Sequence, residues 1–271
     1  MKIFRFDQPD DTLEYRLYPD GESYIRIKTS VKNEVCVIWR TLHQPNTKIP
    51  PLLFLSETLR DNGAKKVILV APYLCYMRQD KVFNEGESFS AKHCGKLLSA
   101  YFDALITLDP HLHRIHDLGQ VYRIPTTVLH AKSVMVSYIK NNIPHPYLIG
   151  PDAESEQWIY DVADQLHCPY TIAQKTRYGD KHVEIAPFEI DLTGKQAIVI
   201  DDIASSGMTL LEIQKKLPTP HPIAILTHAV FTDEVYQKLS AVYGQIITTN
   251  SISHVSNRLD IEPLVMAVLK K

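Results

Sequence analysis

A short segment in the second half of the chain combines the residue types that bind a sugar phosphate. Residues 197–200 (AIVI) form a continuous apolar run, which is typical of a strand buried on both faces of a parallel sheet. Asp201 and Asp202 come next, and ligands of such sheets bind beyond the carboxyl ends of the strands. Two acids at that position could bind ribose hydroxyls or a metal ion.

The turn after the acids adds a site for the phosphate. It supplies hydroxyls and the amides of a helix start, and it consists of Ser205, Ser206, Gly207, Met208 and Thr209. Helix-start amides and the helix dipole together favour a phosphate dianion. A simpler alternative is a buried strand followed by a helix that Ser205 or Ser206 caps. That alternative leaves two carboxylates at a strand end unexplained, although unpaired charges there cost on the order of several kcal/mol.

This segment resembles the phosphoribosyl pyrophosphate motif of type I phosphoribosyltransferases and of ribose-phosphate pyrophosphokinases. The first half of the chain separates the two families. Residues 70–80 (VAPYLCYMRQD), 90–92 (SAK) and 108–111 (LDPH) are similar in order and spacing to the nucleotide-binding half of the pyrophosphokinases, and residues 18–22 (YPDGE) look like an early turn of that family. On these motifs the chain is identified as a member of the pyrophosphokinase family.

The resemblance implies an activity and a fold. The activity is transfer of the diphosphoryl group of ATP to the C1 hydroxyl of ribose 5-phosphate, giving phosphoribosyl pyrophosphate and AMP, with Mg²⁺ as the cofactor. The fold is α/β, with two tandem type I phosphoribosyltransferase domains, each a mainly parallel doubly wound sheet flanked by helices. Two alternatives stay open: a phosphoribosyltransferase that consumes phosphoribosyl pyrophosphate, and a non-catalytic regulatory homologue of the synthetase.

Residue by residue, the resemblance assigns one set of side chains to ATP. This set is Tyr18, Asp20, Glu22, Arg78, Gln79 and Asp80. The first three match residues that bind the adenine of ATP held by a neighbouring subunit, so we expect a homo-oligomer, dimeric or larger. The residue types fit this assignment, since the chain lacks a P-loop and the planar fork of Arg78 donates to two phosphate oxygens. Pro-Asp-Gly at 19–21 is also a turn sequence in its own right.

Further residues are assigned to catalysis and to the metal. Residues 174–182 (QKTRYGDKH) lie between two β-like runs and predict a basic hairpin tip, for which a solvated loop is the plainer alternative. In the family, a lysine and an arginine two residues later stabilise the transferring group, and Lys175 and Arg177 have that spacing. The resemblance assigns His111 and Asp152 to magnesium. His113 forms a His-x-His pair with His111, which also occurs in zinc sites, but supporting zinc ligands are not evident.

Two departures from the family pattern concern the phosphate turn and the metal residue. Met208 stands where glycine is usual, and a non-glycine residue with positive φ is disfavoured. Glu154 replaces a small residue that often follows the metal-binding aspartate. Catalysis is still expected, whereas regulation by ADP or phosphate is left open because the chain is shorter than common family members.

Composition agrees with an enzyme of two lobes. The chain has 271 residues, 45% of them hydrophobic and 22% charged, enough for two cores of about 130 residues each. The net charge of −2 argues against a nucleic-acid surface. The absence of an 18-residue apolar run or secretory signal predicts a cytoplasmic protein without a membrane span. The four widely spaced cysteines are expected to be free thiols.

Alternating strand and helix patterns predict the elements that position these residues. The expected strands are residues 35–39, 67–71, 104–108, 147–150, 170–173, 197–200, 223–227 and 246–248. The expected helices are residues 52–61, 90–101 and 155–166, with a further one after the phosphate turn. Residues 141–146, which contain two prolines, are the best linker candidate. We therefore expect an ATP-binding domain at 1–140 and a ribose-5-phosphate-binding domain at 141–271.

Overall fold

The structure is a computed structural model that describes residues 1–6, 10–112, 114–177 and 183–270. His113, and Tyr178 to His182 of the predicted basic tip, lie outside the described residues. By its internal contacts the chain divides into two compact units, Met1–Leu129 with Ala267–Lys271, and His130–Met266. This division falls before the expected domain boundary at 140/141, which stays a prediction.

The first unit contains a five-stranded parallel sheet, an antiparallel hairpin and two long helices. In chain order the elements are β1 (Lys2–Arg5), β2 (Leu13–Leu17), β3 (Ser23–Ile27), β4 (Val35–Trp39), α1 (Ile49–Asp61), β5 (Lys66–Ala71), α2 (Ser90–Tyr101), β6 (Ala104–Leu108) and β7 (Thr126–Leu129). The sheet order is β1-β4-β5-β6-β7, and β2 pairs with β3. Leu52, Leu55 and Leu59 recur at helical spacing on α1 and are completely buried against this sheet's core.

The second unit contains a six-stranded parallel sheet. Its elements are α3 (Lys132–Asn142), β8 (Pro146–Gly150), α4 (Glu156–Leu166), β9 (Tyr170–Ile172), β10 (Lys175–Arg177), β11 (Val183–Ile185), β12 (Gln196–Ala204), α5 (Met208–Lys216), β13 (Ile223–Ala229), α6 (Asp233–Ser240), β14 (Gln245–Thr249) and β15 (Asn257–Leu259). The last helix, α7 (Glu262–Leu269), begins in this unit and ends among the residues assigned to the first. The sheet order is β15-β14-β13-β12-β8-β9, and β10 pairs with β11 in a separate antiparallel hairpin. All seven residues of β13, in the middle of the sheet, are buried.

The predicted fold class and every predicted strand and helix are present. One strand differs in a way that affects the site: β12 continues past Ile200 to Ala204, so Asp201 and Asp202 lie inside the strand and not after it. β12 is this long because the neighbouring strand β13 pairs with it as far as Ala204, which lies opposite Ala229. The linker candidate at 141–146 contains the end of α3 and the first residue of β8.

The cysteines are free thiols, as expected. Two of them touch: the Sγ atoms of Cys75 and Cys94 are 3.8 Å apart in the core of the first unit. None of the helices in the described part of the chain combines the length and the apolarity that crossing a bilayer requires.

Candidate active site

The two acids of β12 lie at the carboxyl edge of the second sheet even though they belong to the strand. On one side of β12 the pairing with β8 ends at Val199 opposite Ile149, so Asp201 and Asp202 extend past the last residue of β8. The backbone N–H of Asp202 donates to the Asp201 carboxylate at 2.9 Å. Both acids therefore lie beyond the carboxyl end of β8, although they are inside β12, and a ligand site there stays a prediction.

Electrostatics at this edge disfavour a charged Asp201. Burial raises the pKa of Asp201 well above its ordinary value, and the negative charges of Asp202 and Asp152 raise it further. Asp152 comes just after β8, the neighbouring strand, so acids from two adjacent strand ends act on Asp201. A site with this much negative charge attracts cations, including divalent metal ions.

The turn after β12 begins a helix at Met208. Gly207 is the N-cap residue, with φ of 70° and ψ of 0°, and the N–H of Leu211 donates to its carbonyl. The alternative in which Ser205 or Ser206 is the N-cap is therefore wrong. The first amides of an α-helix have no acceptor within the helix, so α5 presents them at the same edge as the acids.

Met208 does not have the strained backbone that its place in the turn suggested. The positive φ of this turn falls on Gly207, whereas Met208 is the first helical residue and does not have a positive φ. Its side chain is 47% exposed, and Ser206 is exposed beside it. The replacement of glycine by methionine at 208 thus requires no strained backbone.

Helix α6 determines which residue can occupy position 207. A Cβ atom at Gly207 would be 2.9 Å from Cγ1 of Val235 and 3.3 Å from Cδ1 of Leu239, both on α6. Glycine is required here for two reasons, the backbone conformation and the lack of space.

In the first unit the predicted ATP residues follow β5 and differ in exposure. Arg78 is exposed, and the Gln79 side chain accepts a hydrogen bond from the Ser90 hydroxyl at 2.6 Å. The Asp80 side chain is 4% exposed and forms an ion pair with Arg114 at 3.2 Å. The backbone N–H of Arg114 also donates to Asp80, at 3.3 Å.

The other predicted ATP residues lie on the turn between β2 and β3, where the sequence predicts a turn. Gly21 has φ of 90°, and the Asp20 carboxylate accepts from the N–H of Glu22 at 3.1 Å. Tyr18, Asp20 and Glu22 are all exposed. The Arg16 guanidinium lies 4.7 Å from the centre of the Tyr18 ring, a cation–π contact that supports one face of this ring.

Of the predicted catalytic and metal residues, the two cations lie in a strand and His111 follows β6. Lys175 and Arg177 lie in β10, opposite Ile185 and Val183, and not at the tip of a hairpin as expected. His111 is half-buried, has φ of 55°, and donates its N–H to the Asp109 carbonyl at 2.8 Å. Within the described residues, no three His, Cys, Asp or Glu side chains form a ready ligand set for a metal.

Sequence reasoning missed Arg114 as a member of the first unit's site. It lies 34 residues after Asp80, and no local pattern links the two positions. Only the fold brings them together.

Comparison with known proteins finds a matching family model for each half of the chain. Residues 6–101 match the family described as the N-terminal domain of ribose phosphate pyrophosphokinase, and residues 117–255 match the phosphoribosyl transferase domain. The chain is 32% identical to the ribose-phosphate pyrophosphokinase of Methanothermobacter thermautotrophicus, over 97% of this chain and 93% of that protein. It is 29% identical to the ribose-phosphate pyrophosphokinase of Pyrococcus furiosus, over 96% and 93% respectively.

A solved structure has the same fold. The phosphoribosylpyrophosphate synthetase of Mycobacterium smegmatis matches with a TM-score of 0.81 and 22% identity, covering 97% of this chain and 91% of that one.

Proposed function

Because the chain belongs to the ribose-phosphate pyrophosphokinase family, we propose that it transfers the β,γ-diphosphoryl group of ATP to the C1 hydroxyl of ribose 5-phosphate. The products are phosphoribosyl pyrophosphate and AMP. The C1 hydroxyl oxygen forms a bond to the β-phosphorus, and the bond from the β-phosphorus to the α–β bridging oxygen breaks in line with it. AMP leaves with the bridging oxygen and the hydroxyl proton passes to solvent, so alignment and charge neutralisation supply the catalysis.

The observation that carries this proposal is the edge of the second sheet. There the helix start at Met208 and the acids of β12 lie within a few residues of one another. The amides and hydroxyls of the turn 205–209 bind the 5-phosphate in this proposal, and Asp201 and Asp202 bind the ribose hydroxyls. One continuous segment thus binds both the phosphate and the ribose of the acceptor in this proposal.

ATP is bound by the first unit in this proposal. The exposed Arg78 donates to the phosphates, whereas the buried Asp80 supports the loop by its ion pair with Arg114. Tyr18, Asp20 and Glu22 bind the adenine of a neighbouring subunit's ATP, which requires a homo-oligomer. Lys175 and Arg177 stabilise the charge that develops on the transferring group.

The acidic edge of the second sheet fits magnesium, since the raised pKa of Asp201 reflects surroundings that favour a hard cation. Asp152 is the proposed ligand in the second unit and His111 in the first. The ion would neutralise phosphate charge when bound. The reducing cytoplasm is the compartment that fits four free thiols.

A product assay tests the reaction. Purified protein, Mg²⁺, ATP and ribose 5-phosphate should form AMP in step with phosphoribosyl pyrophosphate. Formation of ADP would indicate an ordinary kinase, and consumption of phosphoribosyl pyrophosphate with a nucleobase would indicate a phosphoribosyltransferase. No turnover despite binding of both substrates would support the regulatory homologue.

The variant Lys175→Ala tests the catalytic assignment. We expect turnover to fall by about 10²–10³-fold, the cost of removing one preorganised charge from a reacting centre. Lys195→Ala is the matched control, because Lys195 lies in the same unit but its ammonium contacts the Tyr147 ring and the Asp191 carbonyl. Equal turnover in the two variants would remove Lys175 from the mechanism.

A further inference from the structure

Tyr243 connects a distant part of the second unit to the first turn of α5. It follows α6 in the chain and is 3% exposed. Its hydroxyl donates to the backbone carbonyl of Leu210 at 2.7 Å, across 33 positions of sequence. Leu210 is itself buried and lies in the first turn of α5, the turn whose amides face the carboxyl edge of the sheet.

Asp201 of β12 also acts electrostatically on the same hydroxyl. Burial raises the pKa of Tyr243, and the negative charge of Asp201 raises it further. One buried side chain is therefore in contact with the helix start and within electrostatic range of the carboxylate beside it.

Helix α6 holds the backbone around Tyr243, and the same helix leaves no space for a Cβ atom at position 207. The N–H of Tyr243 donates to the carbonyl of Leu239 at 2.9 Å, and Leu239 lies against the Gly207 position. The start of α5 is thus held at two points, at Gly207 by van der Waals contact and at Leu210 by a hydrogen bond. The second point depends on a single hydroxyl group.

We propose that Tyr243 is a positioning residue for ribose 5-phosphate, which holds the first turn of α5 in register with Asp201 without touching the substrate. This inference rests on the proposed function of the second unit. A tyrosine is suited to the role because its rigid ring places the hydroxyl with little loss of side-chain freedom. A turn that shifts away from the acids would bind phosphate and ribose less well together.

The variant Tyr243→Phe removes the hydroxyl and keeps the ring. We expect the Kd and the KM for ribose 5-phosphate to rise about fivefold, the loss that one hydrogen bond corresponds to. The KM for ATP and the kcat at saturating substrates should change by less than about twofold, since ATP is bound elsewhere in this proposal. Amide hydrogen exchange of residues 208–211 should be faster than in the wild type.

Tyr147→Phe is the matched control. Tyr147 is a buried tyrosine of the same unit, but it is the second residue of β8 and pairs with Ala197. It therefore lies near the amino ends of the strands, away from Asp201 and the start of α5. Its variant should bind ribose 5-phosphate as the wild type does.

The outcomes separate this inference from the proposed function. Wild-type protein that fails to bind ribose 5-phosphate in equilibrium dialysis would overturn the proposed function. Wild-type binding that is equally strong in Tyr243→Phe would overturn only the role of Tyr243. A Tyr243→Phe protein that does not fold, or that loses affinity for both substrates alike, would show a structural role and overturn the inference as well.

Discussion

At the scale of single residues, we expect the acid pair of β12 to serve ligand binding at a cost in the stability of the folded protein. The pKa of Asp201 is raised above 3.8 by burial and by the neighbouring charges, so the native state holds a proton that the unfolded state releases. Stability from this group is therefore present at low pH and is lost as the pH rises above 3.8. Residues that serve a ligand often carry such a cost.

Asp201→Asn should accordingly stabilise the ligand-free protein at pH 7 while weakening ribose 5-phosphate binding. Denaturant unfolding at several pH values measures the effect, and the wild type should lose more stability than the variant between pH 4 and pH 7. Asp191→Asn is a control of opposite sign, because a hydrogen bond from Thr193 lowers the pKa of exposed Asp191. Asp191→Asn should therefore not stabilise the protein at pH 7.

The glycine at the helix start gives a second residue-scale prediction. Gly207→Ala should destabilise the protein by about 1–3 kcal/mol and weaken ribose 5-phosphate binding, since a Cβ there meets Val235 and strains the backbone. Gly194→Ala separates the two causes, because Gly194 also has positive φ but has open space around its Cβ position. Equal unfolding midpoints for the two variants would show that the contact with α6 is unimportant.

Candidate site residues can be proposed from the sequence where they lie close together in the chain. Asp201 and Gly207 lie in one short segment, and their types alone indicate a bound sugar phosphate. Arg114 and Tyr243 act through partners 33 or 34 positions away, which no local pattern reveals. The strain expected at Met208 falls one residue earlier, because helix boundaries read from sequence are uncertain by a residue or more.

At the scale of elements, one aspartate holds together the start of β5 and the end of α1. The Asp103 carboxylate accepts the buried N–H of Val67 at 2.7 Å and forms an ion pair with Arg60 at 3.1 Å. The position of β5 matters because this strand leads into the loop that carries Arg78.

Asp103→Ala should lower the free energy of unfolding by about 1–3 kcal/mol, because it leaves the Val67 N–H without its acceptor. Glu57→Ala is the matched control, since Glu57 is 53% exposed and contacts the same Arg60 only at 3.9 Å. Chemical denaturation compares the two, and a larger loss in the Glu57 variant would contradict the assignment.

Strands with continuous apolar runs were more predictable than strands without them. β4 and β5 read directly as buried strands, whereas β7 is a half-buried, threonine-containing strand with a weak pattern. Helix α3 buries only Met135 and Ile139, so its periodicity is faint. The length of β12 depends on pairing with β13, a property of the sheet and not of the segment itself.

At the scale of the whole molecule, we predict that the two units bind different ligands. Ribose 5-phosphate alone should slow amide hydrogen exchange in residues 201–211, and ATP alone should slow it in residues 76–80 and at the start of α2. Amide hydrogen exchange, measured by mass spectrometry, checks both assignments. Protection of the first unit by ribose 5-phosphate would contradict the assignment of the acceptor to the second.

The two-lobe organisation was predictable from length and from two successive sets of alternating strands and helices. The expected boundary relied on the prolines at 144 and 146, whereas the contacts of α3 place residues from His130 onward with the second unit. Pro144 follows the end of α3, and the boundary at 140/141 stays a prediction.

The half-buried Asp201 on β12 also has a consequence for calorimetry. A metal ion that engages the Asp201 carboxyl group favours its ionised form, so any hydrogen ion that this group carries passes to the buffer. The apparent enthalpy of binding would then vary with the ionisation heat of the buffer chosen, and titrations in phosphate and in Tris would count the hydrogen ions released per mole of ligand.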